Sequence, residues 1–135
     1  ANACTGPEGF ADTHRTAETV AEYLKCSAGD VLVCSTGLIG ERLPMQKIVD
    51  GIASASAQLQ NDCAENLAQA IMTTDSHSKY FEKEYKGVRI FGMAKGAGML
   101  APSLATMLVV IATDAVVDIS ASKILKEVKK KRYLI

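Results

Sequence analysis

Residues 95–115 read KGAGMLAPSLATMLVVIATDA. A lysine opens a glycine-rich turn, a proline follows, and an Ala-Thr step leads into a continuous apolar run. The run from Thr106 to Ala112 is rich in β-branched residues, which predicts a buried strand. The glycine-rich loop then occupies residues 95–105. A hydroxyl residue, Thr106, thus stands at the mouth of a strand, with flexible backbone and a cation just upstream.

Working outward from this strand, residues 79–86 and 88–94 read as two further strands. They are joined at Lys86-Gly87, which predicts a hairpin. VLVCST at 31–36 is another short apolar run and predicts a second buried strand, followed by the irregular loop GLIGERLP. Ala17, Val20, Ala21 and Leu24 fall at helical spacing, so a helix is expected over 13–25. Asp12 or Thr13 would cap it after the loop CTGPEG, and Gly29-Asp30 would end it. Met45, Ile48, Val49, Ile52, Ser56 and Leu59 make a second helical stripe, with Pro44 near its start. A third helix is expected from Asp62 to Ala70, before a polar turn at TTDS, 73–76. After Asp118, the positions of Ala121, Ile124, Leu125 and Val128 predict a last helix. Its basic end, Lys129–Arg132, suits a helix C-terminus, where cations offset the macrodipole. This order of elements predicts mixed α and β structure in layers, and 135 residues correspond to one domain or part of one.

Fifteen basic and fifteen acidic residues cancel, so charge points to neither a nucleic-acid nor a membrane partner. Aromatic residues make up 5% and tryptophan is absent, which disfavours a base-stacking platform. The longest apolar stretch, MLVVIA at 107–112, is too short to span a bilayer. No signal-peptide pattern opens the sequence. The four cysteines, Cys4, Cys26, Cys34 and Cys63, show no CxxC spacing, and His14 and His77 lie far apart, so no metal site is expected. Cys26 and Cys34 sit among apolar residues, which predicts reduced, buried thiols.

Three places could carry chemistry. At STGLIG, 35–40, a strand ends in hydroxyl residues and glycine, and backbone N–H groups there could stabilise an oxyanion. An ordinary strand-to-loop turn explains the same residues. At TTD, 73–75, two hydroxyls and a carboxylate could bind substrate, or could serve local turn hydrogen bonds. The KGAG turn lacks both the Walker pattern and the third glycine of GxGxxG, so a nucleotide site is not supported. At Ala105-Thr106 a sharper chemistry is open. The Thr106 hydroxyl can attack the preceding carbonyl, shift the acyl group from N to O, and leave an ester for water to cleave. The free amine produced on Thr106 would act as base for its own hydroxyl.

The segments ANACTG (1–6), STGLIGERLPMQKI (35–48), AIMTTD (70–75) and GMAKGAGMLAPSLATML (92–108) occur in this order. On them the chain resembles the glutamate N-acetyltransferase family, also called ornithine acetyltransferase, of arginine biosynthesis. The resemblance runs from residue 1 to about 118. The family's usual proline after TTD is absent from TTDSHSK.

The resemblance implies an α/β (α+β) architecture of layered sheets flanked by helices, like that of N-terminal-nucleophile hydrolases. Residues 1–135 would be a single partial domain of it, the central piece of a longer precursor cut between Ala105 and Thr106. Thr106 would become the nucleophile, taking the acetyl group from N-acetylornithine and passing it to glutamate through an acetyl-threonine. Some members also accept acetyl-CoA; no cofactor or metal is implied. Thr36 and Gly37 match the family's oxyanion hole, and Thr73 and Lys95 match its substrate contacts. The partners implied are the small-molecule substrates and the rest of the precursor, the two cleaved chains forming a hetero-oligomer. The expected location is the cytoplasm, or the mitochondrial matrix for a fungal source. Two alternatives remain at this point: an aminopeptidase or amidase with the same kind of nucleophile, and an inactive truncated binding domain.

Overall fold

The structure, a computed structural model, describes residues 2–60, 63–97 and 107–116. It falls into two compact units. One holds helix α1 (Gly6–Leu24), a 3-10 turn (Ala28–Asp30) and helix α2 (Met45–Ser56). The other holds helix α3 (Ala64–Ala70) with strands β1 (Lys79–Tyr85), β2 (Val88–Lys95) and β3 (Leu108–Thr113). Helices and a sheet in one short chain bear out the α/β class.

α1 begins seven residues before the expected start, inside the stretch whose composition suggested a loop. Pro7 explains this, because its missing N–H and fixed φ suit the first turn of a helix, and Glu8 adds negative charge there. Asp12 is therefore no cap; it lies inside the helix on its buried face. The helix ends at Lys25, whose left-handed conformation (φ 58°) turns the chain. α1 packs on α2, and the buried apolar residues of this unit are Ala17, Ala21 and Met45. These are mostly small side chains, so the helices meet over a thin core. Pro44 stands directly before α2, as expected.

The expected strand over 31–36 does not form. Val31 is extended, and exposure alternates along the segment, with Leu32 and Cys34 outward. No described strand lies beside it to complete a ladder, and strand pairing needs that neighbour. Leu32 is consequently 91% exposed. The burial expected of Cys26 and Cys34 fails with it: both thiols are free, as expected, but exposed. Cys26 lies beyond the end of α1, and Cys34 is on the outward side of this unpaired segment.

In the second unit the hairpin is as expected. β1 and β2 pair antiparallel, with Lys79 opposite Ala94 and Tyr85 opposite Val88. Lys86 and Gly87 both have positive φ, 52° and 77°, the geometry of a two-residue turn matched to strand twist. Phe81 lies opposite Gly92, and a Cβ at position 92 would stand 2.1 Å from the Phe81 ring. The glycine makes room for the aromatic ring. α3 packs against both strands, burying Ala68, while Met93 is the buried apolar residue of β2.

β3 adds to the free side of β2, giving the order β1-β2-β3. Thr113 Oγ1 donates to the Arg89 carbonyl (2.9 Å), and the Arg89 N–H donates to Asp114 Oδ1 (2.8 Å). The end of β3 therefore meets the start of β2, as an antiparallel pairing requires. The strand is where the sequence placed it, but it is not buried. It is an edge strand whose Val109, Val110 and Ile111 are all exposed, because among the described residues no layer covers it. No described helix is long and apolar enough to cross a membrane.

Candidate active site

Two loops carry the expected site residues, one in each unit. In the helical unit, Thr36 and Gly37 follow the extended segment. Gly37 has φ 144° and Gly40 φ 84°, values that side-chain-bearing residues rarely adopt. The loop is tied to the start of the chain. The Asn2 N–H donates to Ser35 Oγ (3.0 Å), and the Gly40 N–H donates to the Ala3 carbonyl (2.8 Å). Asn2 is fixed in turn: its side-chain amide donates to the Gly9 carbonyl (2.6 Å) and to Thr13 Oγ1 (2.7 Å), and it accepts from the Thr5 hydroxyl. Gly9 admits this approach, since a Cβ there would lie 1.9 Å from Thr5 Oγ1.

A second tie holds the same loop farther along. Arg42 forms a two-pronged pair with Asp12, Nε to Oδ2 at 3.0 Å and Nη2 to Oδ1 at 2.9 Å. The Asp12 side chain is 8% exposed, and a carboxylate so placed needs such a partner. Among the described residues, neither the Thr36 nor the Gly37 N–H is donated to a protein acceptor. Two adjacent amides in a braced loop are thus free to bind an anionic oxygen.

In the sheet unit, the TTD turn after α3 meets the end of β2. Lys95 is 3% exposed, and its Nζ donates to Thr73 Oγ1 at 3.0 Å. No carboxylate among the described residues pairs with it. With a lone pair occupied by the ammonium, the Thr73 hydroxyl has its own hydrogen to offer elsewhere. Ammonium and hydroxyl together suit a carboxylate or a polarised carbonyl. The sequence named Thr73 and Lys95, and the structure brings them together.

Of the two readings open for TTD, substrate contact or turn hydrogen bonds, Asp75 takes the second. Its side chain is fully buried and turned onto the protein. Oδ1 accepts from Lys79 Nζ and from the Gly96 N–H (2.8 Å), and Oδ2 accepts from the Thr73 N–H (3.3 Å). The Lys79 hydrogen bond, then the backbone donors, hold its carboxyl well below the usual carboxylate range, against the opposing effect of burial. It is a structural anion, not a ligand group.

The sequence reading offered Asp12 only as a helix cap and did not single out Arg42 or Lys79. Asp12 had a signal: an acid on the buried stripe of a helix requires a cationic partner. Lys79 stands four residues after Asp75, a spacing that indicates a pair on a helix, but these residues form a turn. Ala105 and Thr106, the expected cleavage pair and nucleophile, lie outside the described residues, as do the expected last helix and its basic end. No group of three potential metal ligands converges among the described residues.

The model of the ArgJ family matches residues 1–133. The arginine biosynthesis bifunctional protein ArgJ of Streptomyces coelicolor is 56% identical over 121 residues, 90% of this chain and 32% of that protein. The protein of the same name from Thermobifida fusca is 58% identical over 116 residues, 86% of this chain and 30% of that protein. This chain therefore spans about a third of the length of these relatives. A crystal structure of arginine biosynthesis bifunctional protein argJ from Bacillus halodurans, at 2.00 Å resolution, is 30% identical. It superposes with a TM-score of 0.51, covering 83% of this chain and 51% of that one. Sequence and fold agree: the chain belongs to the ArgJ family.

Proposed function

We propose that this chain is the nucleophile-bearing part of an acetyltransferase of arginine biosynthesis, one that moves an acetyl group from N-acetylornithine to glutamate. The observation that carries this reading is the buried Lys95 ammonium, paired with a hydroxyl and, among the described residues, with no carboxylate. A protein tolerates such a charge where a ligand supplies the counter-charge, and both amino-acid substrates carry an α-carboxylate.

In the proposed sequence Thr106 Oγ first attacks the Ala105 carbonyl. The amide C–N bond breaks, and water cleaves the resulting ester, leaving a carboxylate on Ala105 and a free amine and hydroxyl on Thr106. Thr106 Oγ then attacks the acetyl carbonyl of N-acetylornithine, its own amine taking the hydroxyl proton. Ornithine departs as an amine and acetyl-threonine remains. The glutamate amine attacks that ester, forming N-acetylglutamate and restoring the hydroxyl. The Thr36 and Gly37 N–H groups would stabilise the oxyanion of each step, and Lys95 with Thr73 would hold the substrate carboxylate. Acetyl-CoA as a further donor, a hetero-oligomer of the two cleaved chains and a cytoplasmic location belong to the same proposal; the relatives named above are bacterial.

The test is the intact mass of a full-length precursor beside its Thr106→Ala variant. Two pieces meeting at Ala105-Thr106, absent from the variant, are expected. The cleaved protein should then convert N-acetylornithine and glutamate to ornithine and N-acetylglutamate. Release of acetate with no dependence on glutamate would replace transfer by an amidase activity.

A further inference from the structure

We infer that Asp75 and Lys79 are positioning residues that set the Lys95–Thr73 pair for substrate, an inference that rests on the acetyl-transfer reading above. The structure places one buried carboxylate between the two partners of that pair. Asp75 Oδ2 accepts the Thr73 N–H at 3.3 Å, fixing the backbone that carries the Thr73 hydroxyl. Asp75 Oδ1 accepts the N–H of Gly96, the residue after Lys95, at 2.8 Å. Lys79 Nζ bonds to the same Oδ1 and also donates to the Gly96 carbonyl at 3.0 Å. Both polar groups of the Gly96 peptide are therefore held by this one ion pair.

The Lys95 Nζ to Thr73 Oγ1 distance of 3.0 Å rests on these ties, which are the other side-chain bonds joining the turn to the strand end among the described residues. Gly96 also opens the glycine-rich stretch that leads toward Thr106. A strand end left untied would let Lys95 leave its buried position, and geometric precision in a site depends on such supporting contacts. Neither Asp75 nor Lys79 need touch substrate to act in this way.

The experiment uses the full-length precursor carrying Asp75→Asn, Lys95→Met, or both, with Lys79→Met as an independent second route. Intact mass follows self-cleavage, steady-state kinetics follow transfer, and amine-selective methylation read by peptide mass follows the accessibility of Lys95. In Asp75→Asn and Lys79→Met, KM for glutamate and N-acetylornithine should rise about tenfold with a smaller change in kcat. Lys95, protected in the parent, should become reactive. In the Lys95→Met background, Asp75→Asn should add nothing further to KM, because effects that act through one group do not add.

Full additivity, or Lys95 protected as in the parent in both variants, would overturn the inference. Should Asp75→Asn fail to fold, Lys79→Met leaves both backbone bonds of Asp75 in place and carries the same measurements. The methylation readout does not depend on acetyl transfer. A parent protein without transferase activity would therefore sink the functional reading, while Lys95 reactivity would still decide whether Asp75 and Lys79 position it.

Discussion

The open end of the hairpin has two faces, and a lysine stands on each. Lys79 lies opposite Ala94, so the next residue, Lys95, points to the other face. Lys79 meets a buried carboxylate and a backbone carbonyl, with its side chain one-third exposed. Lys95 is far more deeply buried and, among the described residues, its ammonium meets only a hydroxyl. The first lysine is what a stable structure requires of a buried carboxylate. The second is what stability alone would have replaced, since an ammonium out of water without an anion is costly. The contrast separates a group that holds the fold from one kept for a ligand.

The largest effect expected from this contrast is at Lys95. In the full-length protein Lys95→Met should lower kcat/KM by about 10²- to 10³-fold, the size of a lost charged contact, while the melting temperature holds or rises. A drop in melting temperature with unchanged kinetics would break the contrast by making Lys95 structural.

A smaller effect should appear in acid, and on the other face only. The folded-state pKa of Asp75 is depressed, so its contribution to stability is full above the ordinary carboxylate range, about pH 4. It is lost as pH falls through the depressed folded value. Urea unfolding of parent and Asp75→Asn should therefore differ most near neutrality and converge steadily at acid pH. A gap that stayed constant with pH would mean the carboxylate charge contributes nothing.

The smallest effect is expected at Gly92, on the same face as Lys79. Gly92→Ala must displace the Phe81 ring from the space it fills. That ring is 53% exposed and can swing outward, so the cost should be about 1 kcal/mol with transfer kinetics untouched. A kinetic change here would show that this face reaches the site by a route other than the Asp75–Lys79 pair.

What the sequence disclosed follows the reach of its signals. The hairpin was legible because Lys86-Gly87 is a local turn signal, and α2 because Pro44 and an apolar stripe are local as well. The two apolar runs were legible only as extended segments. VLVCST and TMLVVIA both read as buried strands, yet one has no described ladder and the described part of the other is an exposed edge. Apolar composition states a preference for burial; only the surrounding structure supplies the covering surface. Within the site, Thr73 and Lys95 came from the family resemblance, which fixed their identities but not their contact. The Asp75 tie to Gly96, 21 positions away, and the Asp12–Arg42 pair, 30 apart, depend on side-chain meetings that no periodicity encodes.

The Lys86-Gly87 turn has a practical side. It lies at the far end of the hairpin from both lysines, is exposed, and has open space around Gly87. Loop tips of this kind tolerate added groups. A fluorophore or affinity handle attached at Lys86 would leave Lys95, Thr73 and Asp75 undisturbed, and would give the sheet unit a reporter through which maturation could be watched as it happens.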